Sequence, residues 1–124
     1  MKIKSTRVWL AGVFRPAVVK MEGSTITRIL DVDTPADADY GNERIVPGFI
    51  DVHTHGAFGA TAVDTAEDKE GLRRWTSMLP KEGVTAYLPS TYGVPIPQED
   101  AALAALADVI EEPPKGAEII GIHM

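Results

Sequence analysis

The first third of the chain alternates short β-forming runs with turn residues. The early apolar run over residues 8–14 predicts one strand. Two further runs, at residues 18–21 and 25–29, flank a turn that contains Gly23, and this arrangement predicts a hairpin. Residues 31–42 are rich in acids and amides and predict an exposed loop. This part of the chain is therefore expected to be β structure.

From residue 44 onward the pattern changes to strands that alternate with helices. Apolar runs predict strands over residues 45–52, 84–88 and 117–122. Pro47 lies inside the first of these runs, which favours an edge strand or a bulge. Because such alternation is typical of parallel sheets with right-handed crossovers, the predicted fold class is α/β.

Two helices are expected between these strands. The first begins near Glu67, with Thr65 and Asp68 as a capping pair. Its apolar face consists of Leu72, Trp75 and Leu79, and Pro80 with Gly83 ends it. The second helix opens at Pro97, presents Leu103, Leu106 and Ile110, and stops at Pro113. No helix is predicted after the third strand, and a parallel sheet needs cover on both faces. We therefore expect the chain to be the front of a longer protein.

Composition narrows the possible partners. The chain has 124 residues, of which 44% are hydrophobic, and its formal net charge is −6. This acidic composition, without clustered lysine and arginine, argues against nucleic acid or an anionic membrane as the main partner. The absence of cysteine excludes disulfides, thiolate metal sites and a cysteine nucleophile. With no apolar segment long enough to span a bilayer, we expect a cytoplasmic protein.

The candidate chemistry lies at the end of the first parallel strand. Asp51, His53 and His55 alternate along it, so their side chains point to one face of the sheet. Two imidazoles at this spacing can converge on one metal ion, and the glycines at 56 and 59 allow the following loop to approach a ligand. Carboxyl ends of parallel strands are where such folds place their sites. The same pattern also occurs by chance, or as histidines hydrogen-bonded in a core.

A metal site needs more than two ligands. His123, at the end of the third strand, and Asp64 are the candidates in the sequence. His123 is equally explained as a histidine held by hydrogen bonds beside a site, and Asp64 as a cap or a solvated acid. Ser90 and Thr91 either line a pocket or satisfy a turn. Neither a phosphate-binding glycine loop nor a serine-nucleophile motif occurs.

Residues 45–56, IVPGFIDVHTHG, resemble the first-strand signature of the amidohydrolase superfamily. Three further segments are similar to the N-acetylglucosamine-6-phosphate deacetylases within that superfamily. They are GAFG at residues 56–59, GVTAYLPST at 83–91 and GIHM at 121–124.

This resemblance implies the first three strands of a TIM-like (β/α)8 barrel at residues 44–124, preceded at residues 1–43 by strands of a small β-sandwich domain. It implies deacetylation of N-acetylglucosamine 6-phosphate, with His53 and His55 binding zinc or iron. One or two ions and a homodimer are implied for the complete enzyme. Asp51 and His123 are expected to lie beside the pair without binding metal. No catalytic residue is implied within the chain, so the chain alone is expected to be inactive.

Two alternatives stay open at this point. A related amidohydrolase that acts on another amide or on a cyclic ureide would share the first motif. A non-catalytic fragment that serves as an interaction module would share the motif without any activity.

Overall fold

The computed structural model describes residues 1–124 and divides the chain into two compact units, Met1–Pro47 and Gly48–Met124. Strands and helices are both present, so the α/β class is confirmed at this coarse level. Neither α-helix is long and apolar enough to cross a membrane. The division into a β-sandwich domain at 1–43 and a barrel at 44–124 stays a prediction.

The first unit is a five-stranded sheet. Its strands β1, β2 and β3 form an antiparallel meander, while β4 and β5 both pair with β1 in parallel. One apolar cluster in this unit centres on Val8, Ala17 and Val19, which are all buried. The strands are β1 (Lys2–Leu10), β2 (Val13–Glu22), β3 (Thr25–Leu30), β4 (Ala38–Asp39) and β5 (Arg44–Ile45).

The predicted single strand over residues 8–14 is wrong, because a tight turn divides it. Ala11 and Gly12 both adopt positive φ, at 50° and 88°, and these two residues join β1 to β2. Two successive residues at positive φ are typical of the turns that suit the twist of a hairpin. The run stays apolar through this turn, so the pattern alone concealed it. The hairpin around Gly23 is confirmed, with β2 and β3 paired antiparallel.

The predicted loop at residues 31–42 contains the short strand β4. Its two residues pair with Ile3 and Lys4 of β1, and the backbone N–H groups of Asp37 and Tyr40 also bond to β1 carbonyls. Such a short strand carries no periodicity that a sequence pattern could reveal.

The second unit contains a parallel sheet in the strand order β10-β9-β6, with two helices in the connections. A separate two-stranded ladder, β7-β8, lies between β6 and the first helix along the chain. The elements are β6 (Phe49–Thr54), β7 (Gly56–Ala57), β8 (Ala60–Thr61), α1 (Lys69–Met78), a 3₁₀ turn (Leu79–Glu82), β9 (Val84–Pro89), α2 (Ile96–Glu111) and β10 (Glu118–Ile119).

The predicted strand over residues 45–52 is also interrupted. β5 ends at Ile45 and β6 begins at Phe49, with Pro47 between them. Proline has no N–H for a ladder, which is a physical reason for the break. β6 then runs to Thr54, so it carries Asp51 and His53 to the carboxyl end of the sheet, with His55 immediately after it.

Helix α1 begins two residues later than predicted. Its cap is Asp68, whose Oδ1 accepts the backbone N–H of Gly71 at 2.7 Å. The predicted partner Thr65 instead donates its hydroxyl to the carbonyl of Ala62 at 2.9 Å. The predicted apolar face is confirmed, since Leu72, Trp75 and Leu79 are all buried. Burial of side chains of this size contributes roughly 1.5–3 kcal/mol each before entropy is counted.

Helix α2 turns the predicted face inward, but the centre of that face also includes smaller residues that were not predicted. Leu106 is buried as expected, but Leu103 and Ile110 are only partly buried. Small residues contribute little to a hydrophobic pattern, which explains why they were overlooked. The buried positions of this helix are Ala102, Ala105, Leu106 and Val109.

Candidate metal centre

His53 and His55 converge at the carboxyl end of β6. Their Nε2 atoms are 3.2 Å apart, and their rings are almost perpendicular, at 87°. Two imidazole nitrogens bound to one ion at roughly 2.0–2.1 Å with tetrahedral angles would lie about 3.3 Å apart. The observed separation therefore matches that of two ligands of a single metal ion. Both histidines are exposed, so an ion can reach them from solvent.

The second ring nitrogen of His55 is fixed by the backbone. Nδ1 lies 3.0 Å from the carbonyl oxygen of Ser90. A carbonyl oxygen only accepts hydrogen bonds, so Nδ1 must carry the proton. In the neutral ring this leaves Nε2 with a free lone pair that faces His53. Metal-binding histidines commonly have their other nitrogen held in this way.

Asp51 and His123 support the backbone around His53. The Oδ1 atom of Asp51 accepts the backbone N–H of His53 at 3.1 Å. Nδ1 of His123 donates to the carbonyl of Val52 at 3.2 Å, and its ring packs edge-to-face against His53 with centroids 4.4 Å apart. These contacts lie where the β6–β9 ladder is irregular, between Asp51 and Thr54. Both residues therefore lie next to His53, and their contacts hold its position.

The structure places no third ligand with the pair. No group of three or more histidine, aspartate or glutamate side chains is arranged to hold a metal ion. Asp64, a candidate from the sequence, accepts the hydroxyl of Thr61 at 2.6 Å. It lines a cavity of about 260 Å³ together with Glu67 and Asp68, and no histidine lines that cavity. His53 and His55 can thus supply two of the ligands of a metal centre.

Tyr92 was missed by the sequence analysis. Its ring centroid lies 5.4 Å from that of His55, at 87°, and 46% of the residue is exposed. The available signal was its position three residues after the end of β9, on the edge of the sheet that also holds the histidines. The sequence indicates only a pocket or turn role for Ser90, whereas in the structure its carbonyl accepts Nδ1–H of His55 and so determines the tautomer of that ring.

Gly56 allows the chain to fold back next to His55. A Cβ atom at this position would lie 2.2 Å from the carbonyl oxygen of Ala60, which is a backbone atom of the neighbouring strand β8. The backbone N–H of Ala62 bonds to the carbonyl of His55 at 2.9 Å. The β7-β8 turn is therefore attached to the backbone of the candidate ligand.

Comparison with known proteins shows which proteins the chain is similar to. No family model matches the chain. The chain is 34% identical over 107 residues to N-acetylglucosamine-6-phosphate deacetylase of Vibrio furnissii, a match that covers 83% of the chain and 26% of the relative. It is 32% identical over 82 residues to N-acetylgalactosamine-6-phosphate deacetylase of Escherichia coli O157:H7, which covers 66% of the chain and 21% of the relative.

The fold is shared with a solved structure. N-acetyl-D-glucosamine-6-phosphate deacetylase from Mycobacterium smegmatis superposes with a TM-score of 0.82 at 19% identity, over 94% of this chain and 34% of the other. The chain spans about a quarter of the length of the curated relatives that it matches.

Sequence identity and shared fold together define the class of the chain, which is the amidohydrolase superfamily. Within that class, the chain is a relative of the N-acetylglucosamine-6-phosphate deacetylases and matches their N-terminal portion.

Proposed function

We propose that this chain supplies the first metal ligands of a metal-dependent deacetylase that acts on an N-acetylhexosamine 6-phosphate. The observation that carries the proposal is the 3.2 Å separation of the Nε2 atoms of His53 and His55, with the proton of His55 held at Nδ1 by Ser90. Relatives named as deacetylases of two epimeric sugar phosphates support the substrate class.

The chemistry of the proposed site follows from the residues around it. A bound divalent metal, zinc or iron, would polarise an amide carbonyl and make a water molecule more acidic. His53 and His55 would bind that ion through Nε2. Asp51 and His123 would keep His53 in place through the backbone contacts described above.

The proposal assigns no general acid or base to this chain. Amide hydrolysis needs a group that takes a proton from water and returns it to the leaving amine. Asp51 is bonded to the backbone of its own strand, and Asp64 is bonded to Thr61. Because both carboxylates are held by these bonds, we assign neither of them as the proton-transfer group, and we expect the 124-residue chain by itself to show no turnover.

The substrate also bears on location. A phosphate ester carries charge that opposes passage through a bilayer, so the compartment that phosphorylates the sugar retains it. A deacetylase of this substrate would act in the compartment where the sugar is phosphorylated, and we propose that this compartment is the cytoplasm.

Metal titration tests the site. We expect the chain to bind one Zn²⁺ ion, measured by calorimetry, and the double variant His53→Ala, His55→Ala to lose this binding. Asp33→Ala, which removes an exposed acid from a loop of the first unit, is the matched control for non-specific uptake. Unchanged uptake in the double variant would show that the histidine pair is not the site.

Acetate release tests the reaction. Proton NMR of the purified chain with Zn²⁺ or Fe²⁺ and either N-acetylglucosamine 6-phosphate or its galactosamine epimer is expected to show no free acetate. A rate that a chelator abolishes would overturn the statement that the chain is inactive alone. In that case the relative rates on the two epimers, and on a cyclic ureide, would identify the substrate.

A further inference from the structure

We propose that Ser90 is a positioning residue for the histidine pair. Thr54 is the residue between the two histidines, and Ser90 holds both of its backbone polar groups. The Ser90 hydroxyl accepts the N–H of Thr54 at 3.1 Å, and the Ser90 N–H donates to the carbonyl of Thr54 at 2.8 Å. This inference rests on the proposed metal centre and assigns a role to a residue outside it.

The remaining polar groups of Ser90 are also engaged. Its carbonyl accepts Nδ1–H of His55 at 3.0 Å, and its hydroxyl donates to the carbonyl of Leu88 at 3.2 Å. The residue is fully buried, so water does not compete for these bonds. The backbone and the side chain of this one residue therefore join the end of β9 to the segment that carries both imidazoles.

The surrounding ladder explains why a hydroxyl is needed here. The pairing of β6 with β9 is irregular between Asp51 and Thr54, and the residue opposite Thr54 is Pro89. The Ser90 hydroxyl lies between two backbone groups of this ladder, because it accepts the N–H of Thr54 and donates to the carbonyl of Leu88. The hydroxyl of Ser90 gives the N–H of Thr54 an acceptor at this irregular end of the sheet.

The hydroxyl acts on His55 through the backbone. It fixes the position of Thr54 and of the end of β9, and the Ser90 carbonyl is thereby held in line with Nδ1 of His55. Ser90→Ala would keep that carbonyl but leave the N–H of Thr54 without its acceptor. We therefore expect the carbonyl and the imidazole to lose their alignment, and the tautomer of His55 to become mixed.

The neighbouring residue provides a matched control. Thr91 is 5% exposed, and its hydroxyl donates to Oε1 of Glu99 at 2.9 Å, away from the histidine segment. Thr91→Ala removes a buried hydroxyl one residue further along the chain. It keeps the backbone bond from the Thr91 N–H to the carbonyl of His123.

Two measurements on the 124-residue chain test the proposal. The first is long-range ¹⁵N–¹H NMR of the metal-free protein at about pH 8. We expect His55 to be the Nδ1–H tautomer in the wild type and in Thr91→Ala, and a mixture of tautomers in Ser90→Ala. The second is the Kd for Zn²⁺, which we expect to rise about 10–100-fold in Ser90→Ala and to stay within about twofold in Thr91→Ala.

The outcomes separate this inference from the proposed function. If the wild type does not bind Zn²⁺, the metal assignment fails and the tautomer measurement alone decides the role of Ser90. The proposal would be overturned if Ser90→Ala folds and shows the same His55 tautomer and the same Kd for Zn²⁺ as the wild type. If Ser90→Ala does not fold, the same readouts on Ser90→Cys decide, because a thiol of similar size is a weaker donor and acceptor. Intermediate values in Ser90→Cys support the proposal, and wild-type values overturn it.

Discussion

The hydroxyl of Tyr87 donates a hydrogen bond of 2.7 Å to Oγ1 of Thr76 in the core of the second unit. Thr76 donates its own hydroxyl hydrogen to the carbonyl of Leu72 at 2.8 Å, so the tyrosine must be the donor of the other bond. Both residues are fully buried. Burial raises the pKa of Tyr87 to about 12.

This raised pKa predicts a loss of stability in alkali. The unfolded chain releases the tyrosine proton near pH 10, whereas the folded chain retains it to about pH 12, so the contribution is complete below pH 10 and disappears as the pH rises towards 12. We expect Tyr87 to lower the free energy of unfolding by about 1 kcal/mol between pH 9 and pH 11. Urea unfolding at a series of pH values measures this. Tyr87→Phe should remove that part of the pH dependence, and Tyr40→Phe, at an exposed position, should keep it.

We expect removal of the α1 cap to lower the stability of the protein. Asp68 accepts the backbone N–H of Gly71 and lies in the helix N-terminal position that favours negative charge. Asp68→Ala should lower the free energy of unfolding by about 1 kcal/mol, while Asp68→Asn should retain most of the stability because its amide oxygen still accepts. Thermal unfolding of the two variants provides the comparison. Equal losses of stability in Asp68→Ala and Asp68→Asn would mean that the cap hydrogen bond does not contribute to the stability of the protein.

The close approach at Gly56 predicts that alanine is not tolerated there. The added Cβ would meet the carbonyl oxygen of Ala60 at 2.2 Å, so β8 would have to move. We expect Gly56→Ala to cost about 1–3 kcal/mol of stability and to weaken Zn²⁺ binding, because β8 leads into Ala62, which bonds to His55. Gly93→Ala is the control, since nothing lies within 4 Å of its added Cβ. Similar effects of the two substitutions on unfolding and on calorimetric binding would contradict this explanation.

We also expect the stability of the protein to depend on a buried serine in the first unit. The hydroxyl of Ser5 accepts the N–H of Arg7 at 2.9 Å and donates to the carbonyl of Glu43, where the β1–β2 ladder shifts register. Ser5→Ala would leave the N–H of Arg7 without its acceptor, which should cost about 1–3 kcal/mol. Ser24→Ala, at an exposed turn position, should change stability by less than about 0.5 kcal/mol. Chemical denaturation of the two variants would detect the difference.

The sequence predicted the elements whose patterns are long and regular. Leu72, Trp75 and Leu79 recur at helical spacing, and all three are buried as the pattern indicates. It failed at elements defined by single backbone angles or by two residues, such as the turn at Ala11 and Gly12 and the strand β4. The turn is set by two backbone angles and β4 by its pairing with the distant residues Ile3 and Lys4, and neither leaves a periodic signal.

At the candidate site, the sequence by itself determined that His53 and His55 follow one strand at alternating positions, because the side-chain period of a strand is two residues. Only the tertiary structure decided which neighbours hold them. Ser90 and His123 lie 35 or more residues from their bonding partners His55 and Val52. Their contacts exist because β9 and the segment after β10 run parallel to β6 and end at the same edge of the sheet. Hydrogen bonds of this kind depend on positions that folding creates, and no local pattern encodes them.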